Sequence, residues 1–157
     1  MRGEVIAVCR SKRRMEPKRD VGEGMLRRNY GLVGDAHAGL SERQVSLLAW
    51  ESIQRANQEH GIEAGPGDFA ENLTIRGMDL LRLRIGDHLR VGEAVLEVVQ
   101  IGKPPSEVHT YNFQGVSILP TEGVFCRVVK GGKVRRGDEI VPLGWKDESH
   151  LRCGQRC

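Results

Sequence analysis

Residues 88–101, HLRVGEAVLEVVQI, read as two strands joined by a two-residue turn: His88 to Val91, then Gly92 and Glu93, then Ala94 to Ile101. In the second strand Val95, Glu97, Val99 and Ile101 alternate with Ala94, Leu96, Val98 and Gln100, the two-residue period of an extended chain with one face on a core. The pattern predicts a β-hairpin. Toward the C-terminus the same grammar recurs: residues 123–130 read as a strand, Gly131 and Gly132 as a two-residue turn, and residues 139–143 as a closing strand. Gly-Asp pairs at 34–35, 67–68, 86–87 and 137–138 each adjoin a predicted strand. Short strands with glycine-rich turns at this density point to a barrel or a strongly bent sandwich.

Toward the N-terminus, residues 73–75 read as a short strand entered through the turn Gly65, Pro66, Gly67 and Asp68. Glu71 and Asn72 stand at its mouth, and because neighbours on a strand point to opposite faces, one of them is expected to face inward or toward a site. Residues 49–60 form the one clear helix, with Trp50, Ile53 and Ala56 at helical spacing and Gly61 as its stop. Trp50 and Ile53 are expected to bury. Residues 4–9, EVIAVC, read as a first strand, and residues 21–30 as a short extended piece. Between them the run from Arg10 to Asp20, rich in Arg and Lys around Pro17, reads as an exposed loop: either a solvated surface or a positive rim that draws in an anionic ligand.

The chain of 157 residues suggests a single domain, expected over 1–144 and followed by a polar tail, 145–157. No apolar run approaches the roughly 20 residues that span a bilayer. The N-terminal order, a few apolar residues before basic ones, is wrong for a secretory signal, so a cytoplasmic location and no membrane partner are expected. A net charge of +3 with 4% aromatic residues argues against nucleic acid, since few rings exist on which bases could stack. A small phosphorylated or carboxylated ligand stays open. Four cysteines, at 9, 126, 153 and 157, are too few and too scattered for a disulfide framework, and reduced thiols are expected.

The densest polar cluster lies in GLVGDAHAGLSERQVSLL, residues 31–48, where Asp35, His37, Ser41, Glu42, Arg43 and Gln44 sit among glycines ahead of an apolar run. Such a loop holds an anion or a metal through main-chain amides and side chains, or it is a tight connection whose Asp and His bond only their own backbone. Both readings stand at this point. Asp35, His37 and Glu71 also leave open a metal-assisted hydrolase or isomerase, which would need a hard or borderline divalent ion.

Five segments taken together, GLVGDAHAG, RQVSLL, PGDFAENLTIRG, LRIGDHLRVGEAVLEVVQIGK and EGVFCRVVKGGKVRRGDEI, resemble the MOSC family in order and spacing over nearly the whole chain from Gly3 to about Leu143. That family is found at the C-terminal end of molybdenum cofactor sulfurases and as small free-standing bacterial proteins. The resemblance implies a mainly β, MOSC-like closed or strongly bent antiparallel β-barrel with one clear helix and short helical turns. It also implies a link to the molybdenum cofactor, either binding it or handling sulfur for it, with a molybdoenzyme or cofactor-biosynthesis protein as a macromolecular partner. The pyridoxal phosphate of full-length sulfurases belongs to another domain and is not expected here.

Molybdopterin carries a phosphate and a dithiolene-bound metal centre, so its site needs cationic and amide donors. Under the resemblance Arg43 grips the phosphate or the pterin edge, Gln44 and Asn72 pair with ring atoms, and Lys103 adds a point charge. Asp35, His37, Glu71 and His109 complete the expected cofactor-binding set. Sulfur-handling members carry a cysteine soon after the Gly-Lys pair, whereas here Lys103 is followed by Pro104, Pro105, Ser106 and Glu107, with no cysteine before Cys126. The implied function is therefore a module that binds the molybdenum cofactor or a related anionic pterin without transferring sulfur. The alternative is a sulfur-carrying or molybdenum-dependent enzyme using Cys126 or a tail thiol, although Cys126 shares a strand face with Val124 and Val128 and reads as core.

Overall fold

The computed structural model describes residues 1–102 and 111–144. Lys103, His109 and the expected tail, with Cys153 and Cys157, lie outside the described residues. In chain order the elements are β1 (Gly3–Arg10), β2 (Arg19–Asp20), β3 (Glu23–Arg27), β4 (Gly31–Leu32), β5 (Val45–Ala49), α1 (Trp50–His60), β6 (Leu73–Arg76), a 3-10 turn (Leu80–Arg82), β7 (His88–Val91), β8 (Ala94–Ile101), α2 (Leu119–Glu122), β9 (Val124–Lys130), β10 (Gly132–Arg135) and β11 (Glu139–Leu143).

Strands β11, β7, β8, β9, β5, β6 and β1 pair in that order, and β1 closes the circle on β11. Closure removes the free edges that an open sheet would present. The hairpin β7–β8 turns at Gly92–Glu93, with Val91 opposite Ala94, as its alternating side chains dictate. Inward residues of every barrel strand meet in one core that includes Val5, Val8, Leu47, Leu73, Leu96, Val98, Cys126 and Ile140. Fully burying side chains of this size contributes about 1.5–3 kcal/mol each.

Two sequence expectations are corrected. Gly131 and Gly132 are not a turn from β9 into a closing strand: Gly132 opens β10, which leaves the barrel to pair with β3 in a separate three-stranded sheet, β10-β3-β4. The closing strand, β11, comes afterwards and pairs with β7 and β1. The barrel also contains one parallel pair, β5 with β6, because α1 carries the chain back to the end where β5 began. A parallel pair needs such a crossover.

Alternation along β5 and β6 sends Leu47, Leu73 and Ile75 inward, while Leu48 points outward into a second apolar cluster with Ile53, Ala56, Ala64, Phe69, Val116 and Ile118. Helix α1 covers this outer face. It ends on Gly61 at φ 63°, the left-handed stop that glycine accepts readily. Ile53 is buried as expected, but Trp50, the first helical residue, is only partly buried against the cluster edge. Phe69 and Phe113 meet edge to face, with ring centroids 5.9 Å apart.

Candidate functional site

The end of β1 and the starts of β5 and β6 lie side by side, with Val8 opposite Leu73 and Leu73 opposite Leu47. One residue further out, Cys9, Asn72 and Ser46 form a layer at this rim of the barrel. Asn72 Nδ2 donates to the Cys9 carbonyl at 3.0 Å, and the Ser46 amide and hydroxyl donate to Asn72 Oδ1 at 3.0 and 3.3 Å. Asn72 thus braces three strands, and its amide is spent on the fold.

The loop after β4 sits on the same rim. Asp35, buried, receives the amide of Ser11 on Oδ1 and that of His37 on Oδ2, both at 3.1 Å. The Lys18 ammonium donates to Asp35 Oδ1 at 2.8 Å and to Ser11 Oγ at 3.1 Å, and lies 3.3 Å from His37 Nδ1. An ammonium has three hydrogens and no lone pair, so all three are matched and His37 Nδ1 is the acceptor. Burial raises the Asp35 pKa, but the Lys18 ammonium and the two amides outweigh it and hold the carboxyl below its ordinary value. Asp35 therefore fixes the Lys18 side chain at this rim.

This network corrects two readings of the sequence. Asp35 does not bond only its own loop, since Ser11 and Lys18 come from the other side of the rim. Nor is the basic run from Arg10 to Asp20 wholly exposed: the Lys18 side chain is 1% exposed, and its backbone amide donates to the Gly67 carbonyl at 2.8 Å. Lys18 was hidden in the sequence by its basic neighbours, and its acceptor lies 17 residues further on. The available signal was Ser11 and Lys18 at the two ends of a loop facing an Asp with glycines around it.

Arg43 and Gln44 lead into β5. Where Gly31 lacks a side chain, a Cβ would meet the Gln44 carbonyl at 2.9 Å and Ala38 Cα at 3.3 Å, so the Asp35–His37 loop packs directly on the entry to β5. Gln44 is buried; its Oε1 accepts from the Val128 amide at 3.0 Å, and its own amide donates to the Cys126 carbonyl at 3.0 Å. Arg43 Nη1 reaches Gln100 Oε1 at 3.5 Å, near the end of β8. Asp35, His37, Arg43, Gln44 and Asn72 are thus brought to one rim.

Glu71 is buried beneath it, held through Oε2 by the Gly67 amide at 2.8 Å and the Thr74 hydroxyl at 2.6 Å, while Oε1 has no hydrogen-bond partner. Both members of the Glu71–Asn72 pair are buried, where one had been expected to face inward. Burial pushes the Glu71 carboxyl up to about 7, against those hydrogen bonds. Among the described residues no group of three His, Cys, Asp or Glu side chains is placed to hold a metal ion. Asp35, His37 and Glu71 therefore do not form the centre that a metal-assisted hydrolase would need.

Cys126 faces the barrel core and Cys9 lies under the rim; both are 0% exposed. Burial pushes both thiols far above the ordinary range, with Glu71 and Asp20 adding to the effect on Cys9 and Glu97 to that on Cys126. Neither offers a thiolate to a ligand. Of the alternative that used Cys126 or a tail thiol, the Cys126 branch loses its nucleophile on this geometry, and the tail thiols lie outside the described residues.

A family model for the MOSC domain matches residues 34–141. Among solved structures, the YuaD protein from Bacillus subtilis superposes with a TM-score of 0.73 at 21% identity, over 89% of this chain and 94% of that one. YiiM from Escherichia coli gives 0.67 at 25% identity over 92% and 70%, and YiiM from Geobacillus stearothermophilus 0.69 at 18% over 90% and 75%. No curated protein matches by sequence.

Proposed function

The chain belongs to the MOSC domain family, and we propose from that membership that it binds the molybdenum cofactor, or a related anionic pterin, at the rim formed by β1, β5 and β6. What supports this reading is that the loop carrying His37 packs on the chain entering β5, where Arg43 stands, beside a cationic loop, with both described thiols buried. The residues suit the anionic and hydrogen-bonding parts of such a ligand. Neither Cys9 nor Cys126 can reach such a ligand, so neither of these two thiols suits sulfur transfer.

When bound, the cofactor supplies a redox-active molybdenum centre; the chain's residues bind and orient it. Arg43 provides a planar fork of donors matched to phosphate or to the pterin edge. His37, its Nδ1 turned to Lys18, adds an imidazole to the residues that hold the ligand. Gln44, Asn72, Asp35 and Glu71 act from behind, by fixing β5, β6 and the loop that carries His37. Lys103 and His109 complete the donor set, as the family resemblance implies.

Expression in a host that makes the cofactor, followed by purification and oxidative release of any pterin as its fluorescent form, tests the reading. Wild type should carry pterin in near-stoichiometric amount, and Arg43→Ala should retain at least about tenfold less, the effect of losing a charge-assisted contact. Wild type that carries none even after supplementation contradicts it.

A further inference from the structure

Beside the Lys18 anchor, where Ser11, Pro17 and Arg19 meet, lies a depression of about 610 Å³ lined also by Arg10, Lys12 and Arg13, with Glu16 the one carboxylate among its lining residues. Among the described residues none of Lys12, Arg13 and Arg19 forms an ion pair, whereas Arg136, Arg127 and Arg76 elsewhere on the surface are each paired with a carboxylate. Arg10 is already aimed: its Nη1 donates to the Val33 carbonyl at 3.1 Å. The guanidinium also lies where a side chain on residue 34 would be, 2.9 Å from the Cβ position of Gly34. Gly34, at φ 89°, is what admits it.

A run of basic residues is ordinarily a solvated surface. This one differs because its middle is nailed down. Lys18, between Pro17 and Arg19 of the depression wall, is anchored by Asp35, Ser11 and the Gly67 carbonyl. The other wall, Arg10 and Ser11, is tied to the same Asp35 through the Ser11 amide. Arg10 is thus fixed at the Val33 carbonyl, and the backbone on either side of Lys12, Arg13 and Arg19 is pinned through Ser11 and Lys18, so four cations border one concavity against the single carboxylate of Glu16. A single phosphate monoester carries about −1.5 to −2 at neutral pH and would leave part of that net positive charge unbalanced.

We propose that this depression is a binding site for a di- or triphosphate group, on a small molecule rather than on a nucleic acid strand. A linked pair or trio of phosphates supplies a charge close to that of the four cations, and Arg side chains take it through bidentate hydrogen bonds. The site is lined by side chains other than His37 and Arg43, so the variants that test it are distinct from those that test the pterin reading.

Calorimetric titration of the full chain with orthophosphate, pyrophosphate and tripolyphosphate, at fixed ionic strength, tests it. Pyrophosphate or tripolyphosphate should bind with a stoichiometry of one, at least about tenfold tighter than orthophosphate. Arg13→Gln with Arg19→Gln should weaken that binding by at least about tenfold. Arg82→Gln, a solvent-exposed position on the 3-10 turn away from the depression, should leave it unchanged. Equal affinity for all three anions, no binding at all, or the same loss in Arg82→Gln would overturn the proposal. So would tighter binding of a short DNA duplex than of tripolyphosphate. Circular dichroism of each variant, matching wild type, confirms that these surface substitutions report on the site.

Discussion

The Lys18 ammonium lies 2.8 Å from Asp35 Oδ1, and the two side chains are 1% and 0% exposed. A buried pair of this kind contributes little net stability over an apolar pair of the same shape, but removing one partner leaves the other charge stranded. Asp35→Ala should therefore destabilise the protein by about 3–5 kcal/mol in denaturant unfolding. Lys18→Met combined with Asp35→Leu should recover a good part of that loss. A loss below about 1 kcal/mol in the single variant would show that the pair is not buried as described.

The same rim holds two carboxylates with opposite pH signatures. The Asp35 pKa is lowered from 3.8, so its stabilisation is present above that value and is lost as pH falls through the lower folded one. Glu71 is raised from 4.5 to about 7, so the folded state holds a proton that the unfolded chain has released. Its contribution is full below about 4.5, falls as pH rises toward 7, and then levels. The fall is on the order of 3 kcal/mol. Comparing stability at pH 5 and pH 8 in wild type and Glu71→Gln isolates it: the difference should shrink in the variant, and an unchanged difference would assign the slope to another group.

Cys9 and Cys126 should resist alkylation in the native protein and react once it is unfolded, since burial suppresses both the thiolate and its access. Peptide mapping by mass spectrometry after a native pulse of iodoacetamide locates the label. Rapid native labelling of Cys126 would restore the thiol-based alternative.

Gly67 and Gly61 both have positive φ, 84° and 63°, yet differ in what surrounds them. A Cβ at Gly61 meets nothing within 4 Å, whereas one at Gly67 would lie 2.2 Å from the Lys18 carbonyl and 3.1 Å from Cys9 Sγ. Gly61→Ala should cost about 1 kcal/mol, from left-handed backbone alone. Gly67→Ala should cost roughly 3 kcal/mol or more, because the basic loop must be displaced. Equal costs would mean that Gly67 does not pin the loop.

Local patterning made much of the barrel legible. The turn at Gly92–Glu93 and the stop at Gly61 are written in neighbouring residues, and each appears where the sequence puts it. The pairing of β10 with β3 joins residues more than a hundred positions apart, and Gly131–Gly132 mimics the hairpin signal that would have kept the chain in the barrel. The parallel β5–β6 pair follows from a strand, helix, strand order that hairpin reasoning passes over. At the site, Lys18 was not legible, because a buried lysine is recognised by its acceptors and those come from residues 11 and 35.

The binding reading is tested most directly by equilibrium titration of the purified full chain with the pterin cofactor released from a molybdoenzyme, followed by pterin fluorescence. Wild type should saturate at one equivalent, with His37→Ala and Arg43→Ala each weakening the affinity by at least about tenfold while unfolding at the wild-type denaturant midpoint. Binding unchanged in both variants, or no saturable binding in wild type, would contradict the placement of an anionic pterin at this rim.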